Sequence, residues 1–129
     1  MTTRRTISTK NAPAAIGPYN QAVVGAGVVY CSGQIALDPA TGKLVEGDVA
    51  AQAEQVLTNM RAVLEAAGTG MDRVLKCQVF LRDMADFKVV NEVYTRAFEG
   101  IDPPARACVA VAGLPMDVDV EIDCVALCD

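Results

Sequence analysis

The chain contains no histidine, which removes the Ser-His-Asp and Cys-His nucleophilic arrangements together with the commonest metal ligand. Its chemistry therefore has to come from Arg, Glu, Asp, Tyr or Cys. Tryptophan is also absent and aromatic residues are only 5% of the sequence, so the stacking surfaces of single-strand nucleic-acid binders are thinly supplied. Positive charge is scarce: 11 basic residues against 16 acidic ones leave a net charge of -5, and no basic cluster stands ready to neutralise a phosphate backbone. Nucleic acid is not an expected partner. Although 52% of the residues are apolar, no uninterrupted run approaches the roughly 18 to 20 residues of a membrane-spanning helix. The stretch from Met1 to Lys10 sets Arg4 and Arg5 among threonines and a serine, without the apolar segment of a secretory or twin-arginine signal. A cytoplasmic protein with no membrane partner is the expectation.

Five cysteines, Cys31, Cys77, Cys108, Cys124 and Cys128, form an odd set with no Cys-x-x-Cys pair, scattered among apolar residues. Reduced, mostly buried thiols are the expected state. A four-cysteine zinc site would call for closely spaced ligand pairs that this sequence lacks, so neither metal nor cofactor is expected. With 129 residues, no internal repeat and no long Pro/Gly/Ser linker, the chain reads as a single domain over residues 1–129.

Hydrophobic period assigns the elements. Thr6–Ser8, Gln21–Val24 and Val28–Ile35 read as strands, the last two joined through Gly25-Ala26-Gly27 in a tight hairpin. Asp48 is placed to cap a long helix whose apolar stripe is Val49, Ala53, Val56, Leu57, Met60, Val63, Leu64 and Ala67, with Gly68 as its stop. Val74–Leu81 is rich in β-formers. A second helix is expected from about Met84 to Phe98, turning Phe87, Val90, Tyr94 and Phe98 inward. Ala105–Val111 and Val118–Ala126 complete the strands, with a turn around Gly113 and Pro115 between them. The sum is an α+β layer: a mixed sheet with two helices packed on one face.

Alternation then places side chains. Ala107, Val109 and Val111 share one side of their strand and Arg106, Cys108 and Ala110 the other, so Arg106 is expected to leave the core face. In the last strand Asp119, Glu121 and Asp123 project away from Val120, Ile122, Cys124 and Ala126. If these two strands are antiparallel neighbours, Arg106 and Glu121 meet on the side away from the helices. Spacing alone equally describes a surface arginine balanced by edge carboxylates.

Several separated motifs carry a resemblance: Ala14-Ala15-Ile16-Gly17-Pro18-Tyr19, Ser32-Gly33-Gln34, Val90-Asn91-x-x-Tyr94, Pro104-Ala105-Arg106, Leu114-Pro115 and Val120-Glu121-Ile122. In order and spacing, from about Thr6 to Leu127, they resemble the Rid family of reactive-intermediate deaminases. The resemblance implies a chorismate-mutase-like fold, a homotrimer with sites between subunits, and hydrolysis of 2-imino acids or their enamine tautomers, such as 2-aminoacrylate and 2-iminobutanoate, to 2-keto acids and ammonia. Its partner would be a small imino or keto acid, with no cofactor.

The same resemblance assigns roles. Arg106 would hold the substrate carboxylate, for which a planar guanidinium fork is suited and lysine is not. Glu121 would orient or activate water, and Tyr19 would line the cleft and hydrogen-bond the imine or water; its plainer role is a loop tyrosine covering the core. Cys108 would contribute backbone groups more than its thiol. Ser32 and Asn91 match site positions, although bracing a loop would explain either. Gly33 would allow close approach of the backbone to ligand. Ala110, Gly113, Cys31 and Cys77 depart from the residues usual in such relatives, which leaves the preferred imine open. Two other functions share these residues: a non-catalytic trimer that senses small carboxylates through Arg106, and an endoribonuclease, against which the acidic balance and missing histidine argue.

Overall fold

A computed structural model describes residues 3–129. Six strands and two helices run in the order β1 (Arg4–Ile7), β2 (Ala22–Gly25), β3 (Val28–Gln34), α1 (Val49–Ala66), β4 (Val74–Leu81), α2 (Phe87–Ala97), β5 (Ala105–Ala110) and β6 (Val120–Leu127). The strands form one mixed sheet ordered β1-β2-β3-β6-β4-β5. Every neighbouring pair is antiparallel except β4 with β5. The α+β layer expected from the pattern is the one observed, with both helices on one face. Among the described residues no helix is long and apolar enough to cross a membrane.

The first hairpin turns on Ala26 and Gly27, at φ 51° and 78°. Two successive positive φ values match the right-handed strand twist, and Ala26 accepts the strain of a left-handed conformation while Gly25 ends its strand. Helix α1 starts where expected: the Asp48 carboxylate accepts a hydrogen bond from the Ala51 N–H at 3.0 Å. It stops at Gly68, φ 88°, where the N–H groups of Gly68 and Thr69 return to the carbonyls of Glu65 and Leu64. Its buried stripe, Ala53, Val56, Leu57, Met60, Val63 and Leu64, packs on Val29, Cys31, Val120, Ile122 and Cys124 of the sheet to make the core. Each large side chain buried there contributes about 1.5 to 3 kcal/mol. Three thiols lie in one row under the helices, because Cys124 is the register partner of both Cys31 and Cys77.

Four expectations are corrected. β5 and β6 are not neighbours: α2 forms the crossover of a β4–α2–β5 unit, β5 runs parallel to β4, and β4 separates it from β6. Arg106 does not leave the helical face, since its register partner is Cys77, a fully buried residue of that face. β5 is an edge strand with neither side fully buried, Val109 on the side away from the helices being 46% exposed, so outward alternation misreads which side is core. Asp119 lies before β6 and turns to α1, exchanging hydrogen bonds with the Gln52 amide, so only Glu121 and Asp123 share the other face. Finally, Phe87 begins α2 at the surface, 38% exposed, while Val93 joins Val90 and Tyr94 inside.

Candidate active site

The residues singled out above fall into two groups on the two faces of the sheet. Arg106, Asn91 and Cys108 gather where α2 crosses the edge strand β5. The Arg106 Nη1 donates to the Asn91 Oδ1 at 2.6 Å. The guanidinium carbon lies 4.8 Å from the ring centre of Tyr94 and 5.6 Å from that of Phe87. Among the described residues the ion pairs are Arg73 with Asp129 and Arg96 with Glu54, so the Arg106 charge has no carboxylate partner there. Beside it opens a cleft of about 630 Å³ lined by Asn91, Tyr94, Phe98, Ile101, Pro104 and Arg106. Two residues along the strand, Cys108 is half-buried. Burial pushes its thiol up, with only partial relief from the Arg106 charge, so it lacks the stabilised thiolate of a nucleophilic cysteine.

The second group is built around Glu121. Its carboxylate lies against Gly33: a Cβ added to that glycine would sit 2.6 Å from the Glu121 Oε2, so the close approach made there is by a protein side chain. Burial, reinforced by the neighbouring Asp123, raises the Glu121 carboxyl above its ordinary range. A cleft of about 520 Å³ adjoins it, lined by Ile16, Tyr19, Ser32, Gly33, Met116 and Glu121 among others. Tyr19 is 51% exposed at this cleft. Ser32 donates its hydroxyl to the Asn20 carbonyl at 2.6 Å, which fastens the segment carrying Tyr19 to β3.

Gln21 completes that fastening, and the pattern reading missed it. Its buried amide nitrogen donates to the carbonyls of Thr9, Ala12 and Pro13, and its oxygen accepts from the Thr9 N–H at 2.7 Å. Its two N–H groups are shared among three carbonyls, the longest contact being to Ala12 at 3.2 Å, and together with the bond from Thr9 they hold the loop before Tyr19 in one shape. Its partners are backbone groups of an irregular segment, which leave no trace in residue type. Tyr94 and Phe87 had a signal, their spacing of three and four residues from Asn91, but that stripe was assigned wholly to the core.

Arg106 and Glu121 are thus not brought together in one chain. In β4, Cys77 partners Arg106 and Phe80 partners Glu121. Two strand spacings and three residues of rise separate their backbones by roughly 14 Å, and their side chains leave opposite faces. Each cleft holds half of the residues expected to act together: a guanidinium in one, a carboxyl with a phenol in the other.

Comparison with known proteins gives a consistent picture. The family model described as Endoribonuclease L-PSP matches residues 9–128. A RutC family protein of Synechocystis is 54% identical over 126 residues, covering 97% of either chain. The human 2-iminobutanoate/2-iminopropanoate deaminase is 49% identical over 124 residues, covering 96% of this chain and 90% of its own. A crystal structure of a Rid family protein from Yersinia pestis, its function described as unknown, superposes with a TM-score of 0.95 at 45% identity over 97% of this chain and 99% of that one.

Proposed function

The chain belongs to the Rid family, the group whose model is described as Endoribonuclease L-PSP, and from that premise we propose that it hydrolyses 2-imino acids and their enamine tautomers to 2-keto acids and ammonia. 2-Iminopropanoate and 2-iminobutanoate, the substrates named for the human relative, are the first candidates. The observation that carries the reading is the state of Arg106: a guanidinium beside an open cleft, held by an amide oxygen and two aromatic rings, with no carboxylate within 4 Å to neutralise it. A cation kept in this condition is matched to a small carboxylate ligand, each charge-assisted hydrogen bond giving about 1.5 to 3 kcal/mol away from water.

The chemistry follows from the two groups of residues. With the carboxylate on Arg106, the adjacent C=N carbon takes a water oxygen while Glu121 accepts the water proton. The nitrogen is protonated, and the resulting carbinolamine loses ammonia to leave the keto acid. Water supplies the oxygen, and no oxidant or cofactor is needed. A carboxyl raised above its ordinary range by burial is better matched to exchanging protons near neutral pH than a solvated one. Tyr19, at the same cleft, can hydrogen-bond the nitrogen or the water.

Because Arg106 and Glu121 leave opposite faces, a working site on this reading combines Arg106, Asn91 and Cys108 of one copy with Tyr19, Ser32, Gly33 and Glu121 of the next. Contacts of one patch with a different patch close into a ring when the rotation between copies allows it, and the homotrimer implied by the family resemblance is a ring of this kind. The open sheet face offers apolar area for such contact, with Tyr30 and Val109 about half exposed. The description endoribonuclease carries the rival activity, but an acidic chain without a basic stripe is poorly suited to RNA.

The test couples a pyridoxal-phosphate dehydratase to this protein and follows imine loss and ammonia release. The parent should accelerate both, and Arg106→Ala should not, by at least about 100-fold in kcat/KM. Keto-acid binding without acceleration across several imines would instead identify a carboxylate-sensing trimer. Salt-sensitive cleavage of RNA would identify a nuclease.

A further inference from the structure

Arginine near acidic residues usually acquires a carboxylate partner, and its field is then largely spent. Arg106 instead rests on groups that fix the guanidinium without cancelling it. The Tyr94 ring, one turn along α2 from Asn91, lies 4.8 Å from the guanidinium carbon, and Phe87, one turn the other way, lies 5.6 Å away. The Asn91 carbonyl oxygen takes one N–H from the side. Tyr94 is itself immobilised, buried with 6% exposure and packed on Phe98 at 4.8 Å between ring centres.

The Tyr94 hydroxyl is the anomaly. It is buried without a partner of good hydrogen-bond geometry, its polar neighbour being the Cys77 thiol, whose contact with it is at most a weak O–H···S one. A buried hydroxyl with so weak a partner adds little to folding, so the hydroxyl does not explain why this position holds an aromatic ring. The ring face does: its negative quadrupole attracts the guanidinium without engaging its N–H groups, and Arg106 lines the adjoining cleft.

We infer that Tyr94, with Phe87 as a weaker second wall, is a positioning residue for the substrate carboxylate: a neutral aromatic floor that aligns the Arg106 fork while leaving its charge uncompensated. This rests on the imine-deaminase reading and adds to it two residues that act through Arg106 without touching substrate. The consequence is a separation of ring from hydroxyl. Tyr94→Phe keeps the floor, loses only the hydroxyl and its weak contact with the Cys77 thiol, and folds about as stably as the parent. Tyr94→Leu keeps an apolar residue of similar burial but removes the π face.

The experiment measures kcat and KM for the imine, the Kd of 2-oxobutanoate and the melting temperature for the parent, Tyr94→Phe, Tyr94→Leu, Phe87→Leu and Arg106→Ala. Carboxylate binding is present in ground and transition states alike, so loss of the floor raises KM and Kd together with little change in kcat. Merely structural damage lowers the active fraction, and so kcat, at unchanged KM. The expected result is a rise of about tenfold in KM and Kd for Tyr94→Leu and about threefold for Phe87→Leu, with Tyr94→Phe at parental values. Should Tyr94→Leu fail to fold, the partly exposed Phe87→Leu decides: its rise supports the inference and parental binding overturns it. Parental KM and Kd in Tyr94→Leu beside an inactive Arg106→Ala overturn the inference alone, as does Tyr94→Phe losing binding as Tyr94→Leu does. Parental turnover and binding in Arg106→Ala remove Arg106 from the site and overturn this inference with it, whereas absence of imine turnover in the parent overturns the deaminase reading itself.

Discussion

Glu121 and Gly33 compete for the same few ångströms, and both roles can be tested there. A methyl group at Gly33 would meet the Glu121 carboxylate at 2.6 to 2.8 Å, displacing the carboxyl without left-handed backbone strain. Gly33→Ala is therefore expected to lower turnover about 10- to 100-fold, as misplacement of a reacting group by an ångström does, while changing the melting temperature little. Glu121→Gln separates activity from stability in another way. Burial raises the Glu121 carboxyl above its ordinary 4.5, so in this group the folded state holds a proton more tightly than the unfolded one. Its stabilising contribution is complete below the unfolded value and is lost as pH rises through the raised one. At neutral pH the ionised carboxylate thus opposes folding, and Glu121→Gln should melt at the parental temperature or above while losing turnover by about 10²- to 10⁴-fold. Parental activity in the amide variant would remove Glu121 from the chemistry. In the parent, turnover should fall on acidification with a midpoint above the ordinary glutamate value.

At the scale of elements, what the sequence discloses depends on how local the cause is. α1 was legible because an 18-residue helix repeats its apolar signal, and because Asp48 and Gly68 act within one turn of its ends. Asp48→Ala removes the bond to Ala51 and is expected to cost about 1 kcal/mol in denaturant unfolding with no change in KM. The neighbourhood of β5 and β6 was not legible: a loop containing Gly113 and Pro115 looks like a hairpin, and only the crossover by α2 reveals that β4 lies between. The face of Arg106 was lost for a related reason. An edge strand has no fully buried side, so alternation of Ala107 and Val109 against Arg106 and Cys108 could not say which row faced the helices. The loop bearing Tyr19 depends on Gln21, whose partners are main-chain atoms that sequence pattern does not register. The motif resemblance supplied Arg106, Glu121, Tyr19, Ser32, Gly33, Asn91 and Cys108. It included Tyr94 in a motif without giving it a role and did not include Phe87, since the contribution of both is a geometric relation to Arg106.

At the scale of the molecule, the decisive feature is the division of the chemistry between two faces. One chain presents a guanidinium at one cleft and a raised carboxyl at another, roughly 14 Å apart along the backbone grid and on opposite sides of the sheet. A protomer on its own cannot bring both to one imine, so the proposed activity entails assembly, and dilution to monomers should abolish turnover. This claim has a direct test that neither single variant provides. Arg106→Ala and Glu121→Gln are each expected to be inactive as pure preparations. Unfolding and refolding them together in equal amounts allows Arg106 from one chain to face Glu121 from its neighbour, and random assembly restores about a quarter of the sites. Recovery of imine turnover to that fraction, from two inactive proteins, is the result predicted here. A refolded mixture that forms the same oligomer yet stays inactive would contradict it, and would require both functions to reside in one chain.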